Sequence, residues 1–306
     1  MRANSGRLRP RRVAVVTDST AYLPTGPAAA AGVTVVPLQL DGSVFGAEGV
    51  DVAPADIAAA LLERGRVTTS RPAPAALSEA YAACSDAGAT AVVSVHLSGS
   101  LSGTVAAARV AAEEAPLPVR VIDSRSTAMG LGFAVLAAAA AADAGADVGA
   151  DVEEVAATAE RVAAGTRTMF YLDTLEHLRR GGRIGAARAL LGTALSVKPI
   201  LHVADGLIVP LERVRTPSRG VARLAALAAA AASDGDGGSA SVDIAVHHLA
   251  APERAEKLVG LLRSGPIRIR ECYVCEIGAV IGAHVGPGVV GVVVSPVEST
   301  FSGSAS

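Results

Sequence analysis

The chain has 306 residues, 51% of them hydrophobic, which is enough for two domains with a large core. Its formal net charge of −2 and its 3% aromatic content, with no tryptophan, argue against the basic surfaces and stacking platforms of nucleic acid-binding proteins. Three cysteines cannot all pair within one chain, which favours a reducing compartment, and we expect a cytoplasmic protein.

Both ends of the chain are expected to be disordered, over residues 1–12 and 298–306. The first of these segments is a basic arm rich in arginine. The apolar run behind it is too short for a signal-peptide core, and the longest apolar run, residues 130–142, falls short of the ~20 residues that a membrane span needs. No transmembrane segment is predicted, which leaves room only for transient contact with a membrane.

Residues 13–165 alternate short runs rich in valine and isoleucine with alanine-rich stretches typical of helices. This alternation predicts an α/β domain with a mainly parallel, doubly wound sheet. The expected strands are residues 13–17, 33–40, 91–97 and 119–122. Ligands of such sheets bind beyond the carboxyl ends of the strands, and hydroxyl-rich loops follow three of them. These loops are residues 17–20, 98–104 and 123–127, and a further polar stretch, residues 68–72, precedes a helix.

Residues 166–297 show a different pattern, which predicts a second α/β domain with a mixed, largely antiparallel sheet. Residues 197–203 and 207–215, joined by Asp205-Gly206, are predicted to form an antiparallel hairpin. An apolar helix is expected to end near Leu195, and residues 233–241 form a linker of Gly, Ser and Asp. Further strands are expected at residues 168–172, 244–247, 267–274 and 289–294.

The loop from Ser98 to Thr104 carries the clearest chemical signal. A loop of small residues that leaves a strand and opens a helix exposes backbone N–H groups at the helix N-terminus, and these attract negative charge. The loop lacks the Gly-Lys-Ser/Thr ending of a P-loop and does not fit G-x-G-x-x-G, which argues against a nucleotide. It is predicted to hold a phosphate or a carboxylate.

His284 closes an apolar helical segment and precedes a Gly-Pro-Gly turn. It could donate a hydrogen bond to a carboxylate or simply cap the helix end. An esterase or acyl-transfer triad of Ser102, His284 and Asp123 is kept as the alternative, although the loop is not a G-x-S-x-G elbow.

The other candidate chemical residues give weaker signals. His247, at a strand end beside another histidine, is expected at the surface. Cys272 and Cys275 lie three residues apart in a strand-like run, so they face opposite sides and form neither a metal site nor a redox pair.

Motifs in the same order along the chain resemble those of the DegV family, which includes the fatty acid-binding subunits of bacterial fatty acid kinase. The resemblance covers residues 13–294. It rests on Thr17-Asp18-Ser19-Thr20, Thr69-Ser70-Arg71-Pro72, the loop from Ser98 to Thr104, Asp123-Ser124, Gly130-Leu131-Gly132, the segment from Leu178 to Ile184, Val214-Arg215-Thr216 and His284-Val285-Gly286-Pro287-Gly288.

The resemblance implies a two-domain protein, not itself an enzyme, that encloses one long-chain fatty acid such as palmitate, stearate or oleate. We expect a monomer. It implies that Thr69, Ser102 and His284, with Ser98 in the same loop, bind the fatty acid carboxylate. Arg183 and Arg215 would contact a separate ATP-dependent kinase that phosphorylates the bound acid. No cofactor and no metal are implied.

Two residues depart from the family motifs. Arg71 replaces the usual glutamine, which places a positive charge near the expected head group, and Gly99 replaces a serine.

Burial energetics also favour a lipid ligand, because burying a methylene contributes about 0.8 kcal/mol, or on the order of 10 kcal/mol for a sixteen-carbon tail. The buried carboxylate would need hydrogen bonds, which hydroxyls, helix-end amides and a histidine can supply.

Overall fold

The structure, a computed structural model, describes residues 13–24, 26, 32–146, 149–190, 198–233 and 241–297. The expected basic arm and tail, most of the expected linker, and the end of the apolar helix near Leu195 lie outside these residues. Within them, Gly185–Leu190 forms a 3₁₀ helix where the start of that apolar helix was expected.

The strands are β1 (Val13–Asp18), β2 (Thr34–Val36), β3 (Gln39–Gly42), β4 (Gly46–Ala47), β5 (Val67–Ser70), β6 (Ala91–His96), β7 (Val119–Asp123), β8 (Arg167–Tyr171), β9 (Lys198–Ala204), β10 (Leu207–Val214), β11 (Val242–His248), β12 (Ile269–Glu276) and β13 (Val290–Pro296). The α-helices are α1 (Pro54–Leu62), α2 (Pro74–Asp86), α3 (Thr104–Glu113), α4 (Met129–Ala144), α5 (Val152–Gly165), α6 (Glu176–Arg180), α7 (Pro217–Ser233), α8 (Pro252–Ser264) and α9 (Ala279–Val285).

The N-terminal part contains a four-stranded parallel sheet in the order β2-β1-β6-β7. All six residues of β6 are buried, because helices cover both faces of the sheet. Leu77 and Tyr81 of α2 pack on one face together with alanines of α3, whereas Leu131 of α4 and Val155 of α5 belong to the cluster on the other. The predicted parallel, doubly wound sheet is confirmed.

The expected single strand at residues 33–40 is wrong. The chain forms two short strands there, and β2 joins the parallel sheet whereas β3 joins a separate sheet. Pro37 lies between them and has no N–H to donate to a ladder, so β2, the edge strand of its sheet, ends at the preceding residue.

A small antiparallel sheet in the order β4-β3-β5 was not expected from the sequence. Its strand β5 occupies most of the polar stretch at residues 68–72, and Thr69 pairs with Leu40 across the ladder. Side chains alternate between the two faces of a strand, so Thr69 is half-buried whereas its neighbours Thr68 and Ser70 are exposed.

The C-terminal part contains a six-stranded sheet in the order β10-β9-β8-β13-β11-β12, in which only β11 and β12 run parallel. The predicted mixed, largely antiparallel sheet is therefore confirmed, as is the hairpin of β9 and β10. Asp205 and Gly206 join these strands with positive φ angles of 52° and 80°, as a tight two-residue hairpin turn requires.

The two parts share one core. Helix α4 contacts β1 and β6 of the parallel sheet and also β13 of the mixed sheet, and α9 contacts α1, β3, β5 and α6. Gly132 allows α4 to approach closely, since a Cβ there would lie 2.7 Å from the carbonyl oxygen of Ala21. The last strand of the parallel sheet ends at Asp123 and the first strand of the mixed sheet begins at Arg167, while the domain limits stay a prediction. No described helix is both long and apolar enough to cross a bilayer.

Candidate functional site

A cavity of about 460 Å³ lies between the two parts of the molecule. This volume is within the range of roughly 300–1,000 Å³ that is usual for small-molecule sites. Most of its wall is apolar and comes from both parts, including Leu38, Leu97, Phe170, Val203 and Val280. The cavity can therefore take an apolar ligand, and its orientation would be set by a few polar groups.

Four of the polar residues in the wall come from separate segments of the chain. Strand β5 supplies Thr69, the loop before α3 supplies Ser102, the turn after α6 supplies Arg183, and α9 supplies His284. Contacts join these segments: the Thr69 hydroxyl lies 2.8 Å from Nε2 of His284, and Nε of Arg183 donates to the Leu101 carbonyl at 3.0 Å. The structure thus brings together three of the four residues expected at the carboxylate, Thr69, Ser102 and His284, and places Arg183 in the same cavity wall.

His284 is neutral in this setting. Burial, together with the nearby Arg183 guanidinium, lowers the pKa of His284 to about 4. Its Nδ1 has no hydrogen-bond partner among the described residues and packs against Gly181. An orphaned N–H is rarer than an orphaned acceptor, so we infer that Nε2 carries the proton and donates it to Thr69. The Thr69 hydroxyl is then free to donate its own proton into the cavity.

Ser102 also lines the cavity, but it does not contact the histidine as a nucleophile would. Its hydroxyl bonds to that of Thr104 at 2.9 Å, and the Nε2 of His284 is taken by Thr69. The carboxylate of Asp123 accepts from the backbone N–H groups of Gly99 and Arg125. The described residues therefore lack the Ser–His–Asp hydrogen bonds on which the esterase alternative depends.

The fourth residue expected at the carboxylate, Ser98, is placed elsewhere, and Arg215, implied as a kinase contact, lies outside the cavity wall. Ser98 is fully buried, and its hydroxyl donates to the Gly206 carbonyl at 2.7 Å and accepts from the N–H of Ser100. It ties the loop to the β9–β10 turn and does not line the cavity. Arg215 is exposed just beyond the end of β10, away from the cavity wall.

The polar loop after β1 forms a buried network and lies outside this cavity. The Asp18 carboxylate accepts from the backbone N–H and hydroxyl of Thr20, from Nδ1 of His96 at 3.0 Å and from the N–H of Leu97 at 3.0 Å. His96 continues through Nε2 to Ser94, whose hydroxyl meets that of Tyr81. All of these residues are buried. The network therefore fixes the loop that follows β6.

The expectation that His247 lies at the surface is wrong. Only 4% of this residue is exposed, and it lines the cavity. Burial lowers the pKa of His247 to about 4, so its Nδ1–H donates to the Cys275 carbonyl and its Nε2 accepts from the N–H of Met129. Met129 follows Ala128, which has an unusual φ of 53° and also lines the cavity. His247 thus holds a strained part of the cavity wall.

The N-terminus of α9 is held by two residues that sequence reasoning missed. The Glu48 carboxylate accepts from the N–H of Val280 at 2.7 Å, and the Tyr22 hydroxyl accepts from the N–H of Ile281. Burial raises the pKa of Glu48, against hydrogen bonds from Ser19, Val280 and Tyr22 that lower it. Since Val280 and His284 both line the cavity, these contacts position one wall of the site. No local pattern marks Glu48, which lies 232 residues from Val280.

The cysteines do not form a site among the described residues. Cys272 and Cys275 lie on β12 as free thiols, and burial raises the pKa of both. No group of three or more His, Cys, Asp or Glu side chains in the described chain is arranged to hold a metal ion.

Comparisons with known proteins agree on one family. The family model described as "Uncharacterised protein, DegV family" matches residues 12–297. A DegV domain-containing protein of Streptomyces coelicolor is 53% identical over 286 residues, which cover 93% of this chain and 99% of that protein.

Two solved structures are similar over 94% of this chain and the whole of theirs. One is described as fatty acid binding of a DegV family protein from Thermus thermophilus, with a TM-score of 0.85 and 32% identity. The other is DegV, a fatty acid-binding protein from Bacillus subtilis, with a TM-score of 0.82 and 32% identity.

Proposed function

Since the chain belongs to the DegV family, we propose that it encloses one long-chain fatty acid and presents the carboxylate to a separate kinase, which forms the acyl phosphate. The observation that carries this proposal is the apolar cavity between the two parts of the molecule, in which Thr69, Ser102 and His284 converge from separate segments. The fatty acid binding named for the two similar structures supports the same ligand class.

The head group would bind to neutral donors. With Nε2 of His284 donating to Thr69, the Thr69 hydroxyl donates to one carboxylate oxygen, and Ser102 can turn its hydroxyl to the other. Hydrogen bonds of this kind stabilise a buried carboxylate without the full countercharge of a salt bridge. The tail would then lie among the valines, leucines and isoleucines of the wall, where each buried methylene contributes about 0.8 kcal/mol.

Mass spectrometry of the freshly purified, denatured protein should release one fatty acid per chain. Thr69→Val and Ser102→Ala should each weaken palmitate binding by about 10- to 100-fold, because each removes a hydrogen bond to a charged group. Thr68→Val is the matched control, since Thr68 is an exposed neighbour on the same strand. Isothermal titration measures the dissociation constants. Equal affinity in both site variants would place the head group elsewhere, and failure to bind any long-chain acid would refute the function.

The kinase would contact the exposed Arg215 and Arg183, which lies in the cavity wall. Palmitate-loaded protein, mixed with ATP and a cell extract from the organism that encodes the chain, should yield acyl phosphate that hydroxylamine traps as a hydroxamate. Arg215→Glu should reduce this yield at least about tenfold while palmitate affinity is retained, because a reversed charge repels a complementary partner. Arg109→Glu, an exposed charge reversal on α3, is the control. A yield that needs no extract would contradict the partner, and equal yields from both variants would place its surface elsewhere.

A further inference from the structure

The mouth of the cavity carries more positive charge than one fatty acid carboxylate can balance. Two guanidiniums line the cavity, that of Arg71 at an exposed position and that of Arg183 half-buried, and the described lining contains no Asp or Glu. Both histidines in the wall, His247 and His284, are neutral near pH 7, because burial lowers their pKa values to about 4. An ionised carboxylate would leave one positive charge unmatched.

The two guanidiniums flank the same short loop. Arg183 is fixed from one side, since Nε donates to the Leu101 carbonyl and Nη1 donates to the Gly181 carbonyl at 2.8 Å. Arg71 lies against Gly103, where a Cβ would be 3.0 Å from Nη1 and 3.3 Å from Cδ. Ser102, the expected head-group ligand, is the residue between these two points of contact.

Neither arginine is neutralised by a carboxylate within the described chain. The hydrogen bonds of Arg183 use Nε and one N–H of Nη1, which leaves three of its five donors, one on Nη1 and two on Nη2. The N-terminus of α3 adds positive potential at the same point, because its cap residue Gly103 has no side chain to bond the free N–H groups. Two forked donors and a helix N-terminus around a serine suit the oxygens of a phosphoryl group.

We propose that this mouth is selective for a dianionic phosphoryl head group on a long alkyl chain, and that Arg71 is the residue that determines this selectivity. The inference rests on the proposed function. When a carboxylate oxygen attacks the γ-phosphorus of ATP, an O–P bond forms, the bond to the β,γ-bridging oxygen breaks, and ADP leaves with the electron pair. The head group changes from −1 to −2 with no proton transferred. Arg71 and Arg183 would then hold the phosphoryl oxygens, and the product would bind more tightly than the substrate.

Monohexadecyl phosphate at pH 8, below its micellar concentration, is a stable probe of this site. Titration calorimetry should show that the wild-type protein binds it more tightly than palmitate. Arg71→Gln should weaken the phosphate by about 10- to 100-fold and palmitate only about threefold, because a charge-assisted forked hydrogen bond is lost. Arg71→Lys should recover part of the phosphate affinity, since it keeps the charge without the fork. Arg66→Gln removes an exposed arginine just before β5, outside the cavity wall, and controls for net charge.

The outcomes separate this inference from the function on which it rests. If palmitate binds but Arg71→Gln weakens both ligands equally, or neither, the selectivity is refuted while the fatty acid site stands. If neither ligand binds, the proposed function itself fails. Inorganic phosphate at 10 mM distinguishes a free anion from a head group joined to the tail. It should leave palmitate affinity unchanged, whereas phosphate that strengthens palmitate binding would assign the arginines to a free anion and overturn the proposal.

Discussion

Replacing Asp18 with alanine should lower the free energy of unfolding by about 3–5 kcal/mol, the largest loss of stability that we expect from one side chain outside the apolar core. The variant leaves the ring N–H of His96 and the backbone N–H of Leu97 without an acceptor, and both residues are buried. Natural domains have roughly 5–15 kcal/mol of stability, so a loss of this size would unfold a measurable fraction near physiological temperature.

Urea denaturation followed by circular dichroism measures this loss. Asp18→Asn keeps the shape and one acceptor oxygen, and its cost should lie between that of the alanine variant and zero. Asp41→Ala removes an exposed carboxylate of β3 and should change stability by less than about 0.5 kcal/mol. Similar midpoints for Asp18→Ala and Asp41→Ala would contradict a stabilising role for the buried network.

Replacing Gly181 with alanine should weaken palmitate binding by about tenfold or more. Gly181 has helical backbone angles, so its backbone accepts alanine, but the new Cβ would overlap the Nδ1 edge of His284. The imidazole would have to shift, which would disrupt its hydrogen bond with Thr69, and the head group would lose the donor that His284 orients. Because burial is the main cause of the low pKa of His284, about 4, a ring shifted out of this tight packing should have a higher pKa.

The neighbouring Gly182 provides a matched control. A Cβ there meets no atom within 4 Å, but φ is +72°, so alanine costs about 1 kcal/mol of backbone strain without touching the site. Gly181→Ala should therefore change affinity more than stability, and Gly182→Ala the reverse. The His284 ring proton, followed by NMR across pH, reports the displacement directly. An unshifted titration and wild-type affinity in Gly181→Ala would show that the ring position does not govern binding.

The sheets could be predicted where burial leaves a simple pattern. Strands β1 and β6 are continuous valine-rich runs because both faces of their sheet are covered, and Asp205-Gly206 specifies its hairpin by local backbone preference. Residues 33–40 have the same apolar character, but Pro37 divides them between two sheets. Strand β5 could not be predicted, because three of its four residues are polar and exposed residues alternate with half-buried ones in a small sheet.

The sequence predicts which segments form the site, but not which side chains in those segments face the ligand. The loop from Ser98 to Thr104 indicates an anion from its hydroxyls and its place before a helix, but the sequence does not tell which hydroxyl faces the ligand. That choice depends on Gly206, 108 residues away, which binds Ser98 and leaves Ser102 at the cavity. His247 was misplaced for the same reason, since its partner Met129 is 118 residues distant.

The cavity is enclosed by the same side chains that form the core shared by the two parts of the molecule, such as Leu97, Phe170 and Val289. Under the proposed function, the acyl chain is both the bound ligand and part of the packed core, because its methylenes occupy a space that would otherwise interrupt close packing. Binding of the fatty acid then also stabilises the packing between the two parts of the molecule. Each delivery of the lipid leaves behind a less stable carrier, which favours rapid reloading over long residence in the unloaded form.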